Sequence, residues 1–299
     1  MKDYLSELEK LNIGEAFKEI RQNKGLTQSD VTPPHSTQSM ISQIENENRR
    51  SYFTTFLYIL HRINMSFDEF MYIINDYQLT SKAKLRQEIR IANHNFNIAD
   101  LKKAYIKCEQ YIENEHDVDI VVQMNKILTS ICVLERDYDQ AIIHSLDTWA
   151  YLQSLDEWYF EELALFLSIM ASLPRERVEK TSQYALKRIK LYTDLYPDSE
   201  IEHKYLSNLA ELYLREKSYE KALNYSTQAI ELCLRTNKFL VLGDSYIKSG
   251  VSLIKLNRED EGYRYIDDGF EMHRLIKKDK LANHWLEELE NLHDIKYPR

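Results

Sequence analysis

The chain has 299 residues, 43% of them apolar, and a net charge of −9, enough length for two domains and enough apolar surface for a sizeable core. The negative balance excludes indiscriminate binding of nucleic acid over the whole surface, though not a local site. Six glycines and five prolines leave few turns, so the expected fold class is all-α.

No apolar run approaches the roughly eighteen residues of a membrane helix and no basic-then-apolar leader pattern occurs, which predicts a cytoplasmic protein without a membrane partner. Cys108, Cys132 and Cys233 are widely spaced and form no CxxC, the pattern of reduced thiols packed in helices. The histidines are scattered without HExxH, and no GxxxxGK[ST] or GxGxxG run occurs, so neither an enzyme nor a cofactor or metal site is expected.

In chain order, Leu5, Leu8 and Leu11 read as a short packing extension. Gly25-Leu26 closes a first helix, and Thr27 with Asp30 three residues on makes a capping box from which Gln28 opens a second. Ser36 or Thr37 caps a third helix. Its Ile41 and Ile44 point to the core and leave Gln38, Ser39, Ser42 and Gln43 outside, with no acid on that face before Glu45. A helix entering the major groove needs such side chains, because Gln pairs with adenine N6 and N7 and Ser serves donors and acceptors alike.

Residues 1–70 carry eight Lys and Arg against ten acids, so the region is about neutral. Lys18 and Arg21 on the first helix, and Arg49 and Arg50 after the third, flank the groove-docked helix where phosphates run. If all four bind in each half of a dimer, eight phosphates are neutralised and the salt slope is about −7.

Between Gly14 and Phe70 the runs IRQNKGLTQ, MISQIENE and MSFDEF resemble the XRE-type helix-turn-helix, which implies five short helices and a DNA-binding set of Lys18, Arg21, Gln28, Thr37, Gln38, Ser39, Ser42, Gln43, Arg49 and Arg50. The interval from Gln28 to Ile41 is one residue shorter than in most members. With Thr37-Gln38-Ser39-Met40-Ile41-Ser42 opening the third helix and a long helical tail following, the chain resembles the Rgg/MutR branch of peptide-pheromone regulators. It departs at Thr32 and at Pro33-Pro34; proline ends a helix, so the turn before the third helix is altered.

The organisation expected is a helix-turn-helix domain over 1–66, a linker helix over 67–80 started by Ser66 with Glu69, and a tetratricopeptide-like domain over 81–299. The linker lacks Gly and Pro and would transmit movements stiffly. The repeat shows in Ala210 and Gly250, Ala222 and Gly262, and Ala229 and Gly269, each pair 40 residues apart. Ala141 lies 81 residues before Ala222, Leu101 lies 40 before Ala141, and Ser182 fills the gap, giving five helix pairs of a solenoid with the third least typical. Leu281, Trp285, Leu289 and Leu292 stripe a final helix that either caps the solenoid or joins a second copy.

The first helix of each pair lines the concave face of such a solenoid. The register points Arg86, Arg90 and Asn93 inward, then Gln123 and Lys126, Leu167, Lys204, Ser207 and Arg215, and Ile247 and Val251. Cations, amides and an apolar middle suit a short peptide with a carboxylate. The resemblance implies the same ligand, an imported linear pheromone, and a cytoplasmic quorum-sensing regulator that binds promoter DNA as a homodimer. The alternative is a tetratricopeptide interaction protein that sequesters a protein or peptide partner, its helix-turn-helix vestigial.

Overall fold

The structure, a computed structural model, describes residues 12–47, 51–94, 97–114, 116–239 and 241–297. All regular structure among them is helical, and the chain divides into two compact units, Met1–Ile127 and Leu128–Arg299.

The first unit contains α1 (Ile13–Asn23), α2 (Gln38–Glu47), α3 (Phe53–Arg62), α4 (Phe67–Ile74), α5 (Ser81–His94) and α6 (Ile98–Asn114). The division falls inside α7 (Val118–Leu134). Phe17, Val31, Ile41, Ile44, Ile59, Leu60, Ile63 and Phe70 form the core of its N-terminal part. Ile41 and Ile44 are buried as the helical spacing predicts. Gly14 lets α1 meet α2 closely, since a Cβ there would lie 2.0 Å from the Ile44 carbonyl oxygen. Gly25 ends α1 with φ +69°, and the amides of Gly25 and Leu26 return to Gln22 and Arg21.

Two expectations for this unit change. The Thr27–Asp30 capping box forms, with the Thr27 amide 2.7 Å from Asp30 Oδ2 and the Asp30 amide 3.3 Å from Thr27 Oγ1. It opens only the 3-10 turn Ser29–Val31, however. Thr32 is extended at φ −76° and ψ 126°, as a residue before proline prefers, and the second helix stops there. The linker helix likewise spans only Phe67–Ile74. Ser66 caps it through the Glu69 amide at 3.0 Å, but Asp76 and Tyr77 turn left-handed after it, so a rigid rod over 67–80 is absent.

The second unit holds α8 (Tyr138–Gln153), α9 (Phe160–Ile169), α10 (Arg175–Ile189), α11 (Ile201–Arg215), α12 (Tyr219–Thr236), α13 (Leu242–Lys255), α14 (Glu259–Leu275) and α15 (Asp279–Asn291). In chain order, α5 to α14 fall into five successive couples before α15. Leu101, Ala141, Ser182, Ala222 and Gly262 are buried on the second helix of successive pairs. The small residues act as expected at the last pair: a Cβ on Gly250 would lie 2.5 Å from the Gly262 carbonyl oxygen, and one on Gly269 2.7 Å from that of Gly243. The backbone repeats with the sequence, for Lys217 and Asn257 take positive φ 40 residues apart, as do Asn237 and Lys277.

The third pair is the irregular one, interrupted by 3-10 turns at Met170–Ser172 and Lys190–Tyr192. The terminal stripe caps the solenoid: Trp285 and Leu289 join the core of Ile247, Val251, Ile266 and Phe270, while Leu292 is 59% exposed. Burial pushes the thiols of Cys108 and Cys233 up to about 11 and about 12, so both are inert at neutral pH. No helix among the described residues is long and apolar enough to cross a membrane.

Candidate functional site

The third helix of the helix-turn-helix, α2, is posed by a buried ion pair. Arg21 on α1 meets Glu45 on α2 bidentately, Nε to Oε1 at 2.6 Å and one terminal nitrogen to Oε2 at 2.9 Å, while its other terminal nitrogen donates to the Leu26 carbonyl at 2.5 Å. Both side chains are almost fully buried, at 7% and 0% exposure. The pair extends outward, since the Gln28 amide donates to Glu45 Oε2 at 2.8 Å and the Gln38 amide donates to Gln28 Oε1 at 3.3 Å. A chain of four side chains thus runs from the core to the first residue of α2.

At the outer end, Thr37, Gln38 and Ser39 are exposed, and Ser42 and Gln43 are half-buried. Thr37 Oγ1 accepts from the Met40 amide at 3.4 Å, starting the helix. Lys18 donates to Asn46 Oδ1 at 2.8 Å, and the Asn46 amide reaches the Ser42 hydroxyl at 3.2 Å, which ties one half-buried cation to the outer face. The sequence does not single out Asn46, because it lies beyond Gln43, the last residue of α2 expected to read bases.

Two expectations are corrected here. Arg21 does not face phosphates, because Glu45 and Leu26 hold it inside. Glu45 does not bound the outer face but anchors it from within. Gln28 is half-buried, donating to Glu45 and accepting from Gln38. Arg49, Arg50 and the stripe of Leu5, Leu8 and Leu11 lie outside the described residues.

Of the groove set in the first unit, Arg86 Nε lies 3.6 Å from Asp119, which also meets Lys82 at 3.2 Å. The Asn93 amide donates to its own helix at Ile89 (2.9 Å), Gln123 is buried, Lys126 is half-buried and Arg90 is exposed. In the second unit Ile247 and Val251 sit in the core, correcting their groove placement. Ser207 is buried too, its hydroxyl and carbonyl accepting Lys248 Nζ at 2.9 and 3.1 Å. On α11 the accessible stripe is Lys204, Asn208, Glu211 and Arg215, with Leu167 half-buried on the neighbouring α9. The inward register on α11 is therefore shifted by one residue at Asn208.

The corresponding stripe on α13, 40 residues on, is Asp244, Lys248 and Val251, and α15 lies over it. Trp285 Nε1 donates to Asp244 Oδ1 at 2.6 Å and its ring centroid is 5.7 Å from Lys248 Nζ. Lys248 also stands 3.5 Å from Glu211, and Arg215 binds Glu211 at 2.9 Å. Burial pushes the Glu211 carboxyl up, but Lys248 and Arg215 outweigh it and hold it below its usual value. Periodicity alone does not say that a last helix folds back over α13, so this cover was missed.

Residues 73–287, well over half the chain, match the family of the C-terminal domain of the HTH-type transcriptional regulator Rgg. A protein of Listeria monocytogenes EGD-e, solved as a candidate transcriptional regulator, is similar over 95% of this chain and 99% of its own, with a TM-score of 0.74 at 18% identity. The SHP pheromone receptor Rgg2 of Streptococcus dysgalactiae gives 0.67 at 15% identity over 94% and 99%. PlcR of Bacillus thuringiensis, solved with the peptide PapR7 and DNA, gives 0.61 at 19% over 94% and 99%. At these identities the structural likeness is one of fold, and the family match goes further. Rgg proteins are transcription regulators and not enzymes, and this chain belongs to the Rgg family.

Proposed function

We propose that the chain is a cytoplasmic regulator that binds promoter DNA as a homodimer through residues 1–66 and is controlled by a short peptide held by residues 81–299. The carrying observation is the exposed, acid-free start of α2, with Gln38 tethered through Gln28 to the buried Arg21–Glu45 pair. Preorganised side chains lose less entropy on binding, so a tethered Gln38 reads a base edge more selectively than a free one. Two heads require a two-fold operator with half-sites about one helical turn, or a multiple of it, apart.

With Arg21 withdrawn, Lys18, Arg49 and Arg50 are the phosphate ligands of each head. Six neutralised phosphates give a salt slope of about −5. Gln38→Ala costs about 1–3 kcal/mol at its base and relaxes preference there, whereas Lys18→Ala weakens all sequences alike. Band-shift titrations on the promoter beside the protein's own gene measure both. An unchanged base preference in Gln38→Ala removes α2 from base reading, and no retarded band at all favours a sequestering solenoid.

For the peptide, Rgg2 is named a pheromone receptor and PlcR was solved with PapR7, which supports the same ligand class here. Lys204, Asn208 and Arg215 on α11, beside Leu167, offer donors for a carboxylate and a backbone along an apolar neighbour. A tenfold shift between two arrangements of the heads needs about 1.4 kcal/mol of differential affinity. Thermal stability in the presence of synthetic genome-neighbour peptides tests this, since a ligand of the folded state raises it. Lys204→Ala abolishes the shift if the placement is correct.

A further inference from the structure

The terminal helix α15 is docked by apolar side chains and carries one carboxylate that gains little from docking. Trp285 and Leu289 are buried, at 3% and 0% exposure. Between them in register, Glu288 has a side chain only 10% exposed, and it faces two cations that lie closer to Glu211 than to it. Arg215 on α11 is held at 2.9 Å by Glu211 but stands 3.8 Å from Glu288. Lys248 on α13 donates to Ser207 and pairs with Glu211 at 3.5 Å. His284, one turn back on α15, lies 3.4 Å away and attracts Glu288 only when protonated. His293, just beyond α15, is buried beside Glu211, and Asp244 on α13 with His273 on α14 closes the Trp285 end.

Three carboxylates, Glu211, Asp244 and Glu288, thus share two permanent cations, Arg215 and Lys248. A buried carboxylate without a close partner loses more hydration than it recovers by attraction. We propose that the charge of Glu288 opposes the docking of its own helix, so that α15 is a proton-linked cover over the inner stripe of α13: it seats more tightly when Glu288 is neutral and lifts more readily when it is ionised. Lifting would uncover Asp244, Lys248 and Val251 and lengthen the α11 stripe by one helix. The inference does not depend on what ligand, if any, that stripe holds.

The electrostatics agree in direction, since burial and then the neighbouring Glu211 raise the Glu288 carboxyl above its usual 4.5, against the pull of His284, Arg215 and Lys248. For an acid raised in the docked state, the penalty is fully present above that raised value. It is relieved as pH falls through it towards 4.5.

The test is amide hydrogen exchange of the full chain, reading residues 279–291 against 259–275 in wild type and in Glu288→Gln, which keeps shape and removes charge. At pH 7 the variant should exchange several-fold more slowly over 279–291, with 259–275 unchanged. In a His284→Asn background, which removes the neighbouring imidazole from both proteins, the gap between Glu288→Gln and its parent should narrow as the pH is lowered towards 4.5. Leu289→Ala, which removes apolar docking surface, should accelerate exchange in the same segment. Equal or faster exchange in Glu288→Gln at pH 7, or a gap that widens on acidification, overturns the proposal and makes Glu288 a tether.

Discussion

Two buried charge clusters, one at each end of the chain, are built on opposite plans. In the α1–α2 pair, one arginine meets one carboxylate bidentately, and a glutamine takes up the remaining capacity of Glu45. In the α11–α13–α15 cluster, three carboxylates divide two cations and the last of them is served at 3.8 Å. Matched charges fix the pose of α2 against α1. An unmatched charge leaves a helix whose seat is weaker than its apolar contacts alone would make it.

The sharpest way to break this comparison is to unmatch the first cluster. Arg21→Ala leaves Glu45 buried without a cation and should cost about 3–5 kcal/mol in the stability of the helix-turn-helix. Urea unfolding followed by hydrogen exchange in α2 would read it. The paired change Arg21→Met with Glu45→Leu should return most of that stability while base preference stays relaxed, because Gln28 and Gln38 lose their anchor. Next in size is Gly250→Ala. Its Cβ would sit 2.5 Å from a backbone oxygen of α14, so the helices must separate, at a cost of up to about 3 kcal/mol. Hydrogen exchange over α13 and α14 measures it.

These two sites also mark how far the sequence could be read. The 40-residue offset located Gly250, Gly262 and Gly269, at which α13 and α14 touch, because close approach demands small side chains and leaves a distinct spacing, although it passed over Gly243 opposite Gly269. The start of α2 was equally legible, since exposed amides and hydroxyls alternate there with buried isoleucines. What the spacing could not carry was the identity of partners. Arg21 was read as a phosphate ligand because a basic residue on α1 looks the same whether a distant Glu45 waits inside or not. Ile247 and Val251 were read as groove residues because nothing local announces that α15 returns to cover α13. Proline was informative in kind but underweighted in degree, for Pro33 reduced the second helix to a single 3-10 turn.

A third prediction concerns how the second unit responds to protons. His203 is buried on α11, and its Nε2 lies 2.7 Å from the Thr236 hydroxyl, which donates onward to the Leu232 carbonyl. With the Thr236 proton committed to Leu232, Nε2 of the imidazole is the donor. Burial, helped by Lys238 and Arg235, pushes it down to about 4 from 6.5. Below 6.5 the unfolded chain binds a proton that the folded chain refuses, so stability falls with pH until about 4. The loss reaches about 2 kcal/mol at pH 5. His203→Gln should flatten urea midpoints across that window, and an unflattened profile would place the acid sensitivity elsewhere.

The smallest effect separates the two ends by backbone rather than by charge. Both need residues at positive φ, but the first helix ends on Gly25 at +69°, whereas the α11–α12 turn uses Lys217 at +58°. A left-handed residue with a Cβ costs about 1–2 kcal/mol, and glycine loses about 0.5–1 kcal/mol of extra chain entropy on folding. Lys217 is exposed, so replacing it removes little packing. Lys217→Gly should therefore stabilise the second unit by up to about 1 kcal/mol. Gly25→Ala should destabilise the first by about 1 kcal/mol, although an added Cβ there meets nothing within 4 Å. Denaturant midpoints moving in opposite directions confirm that φ decides both. If Lys217→Gly lowers the midpoint instead, the aliphatic stem of Lys217 contributes more packing to the turn than its backbone strain costs.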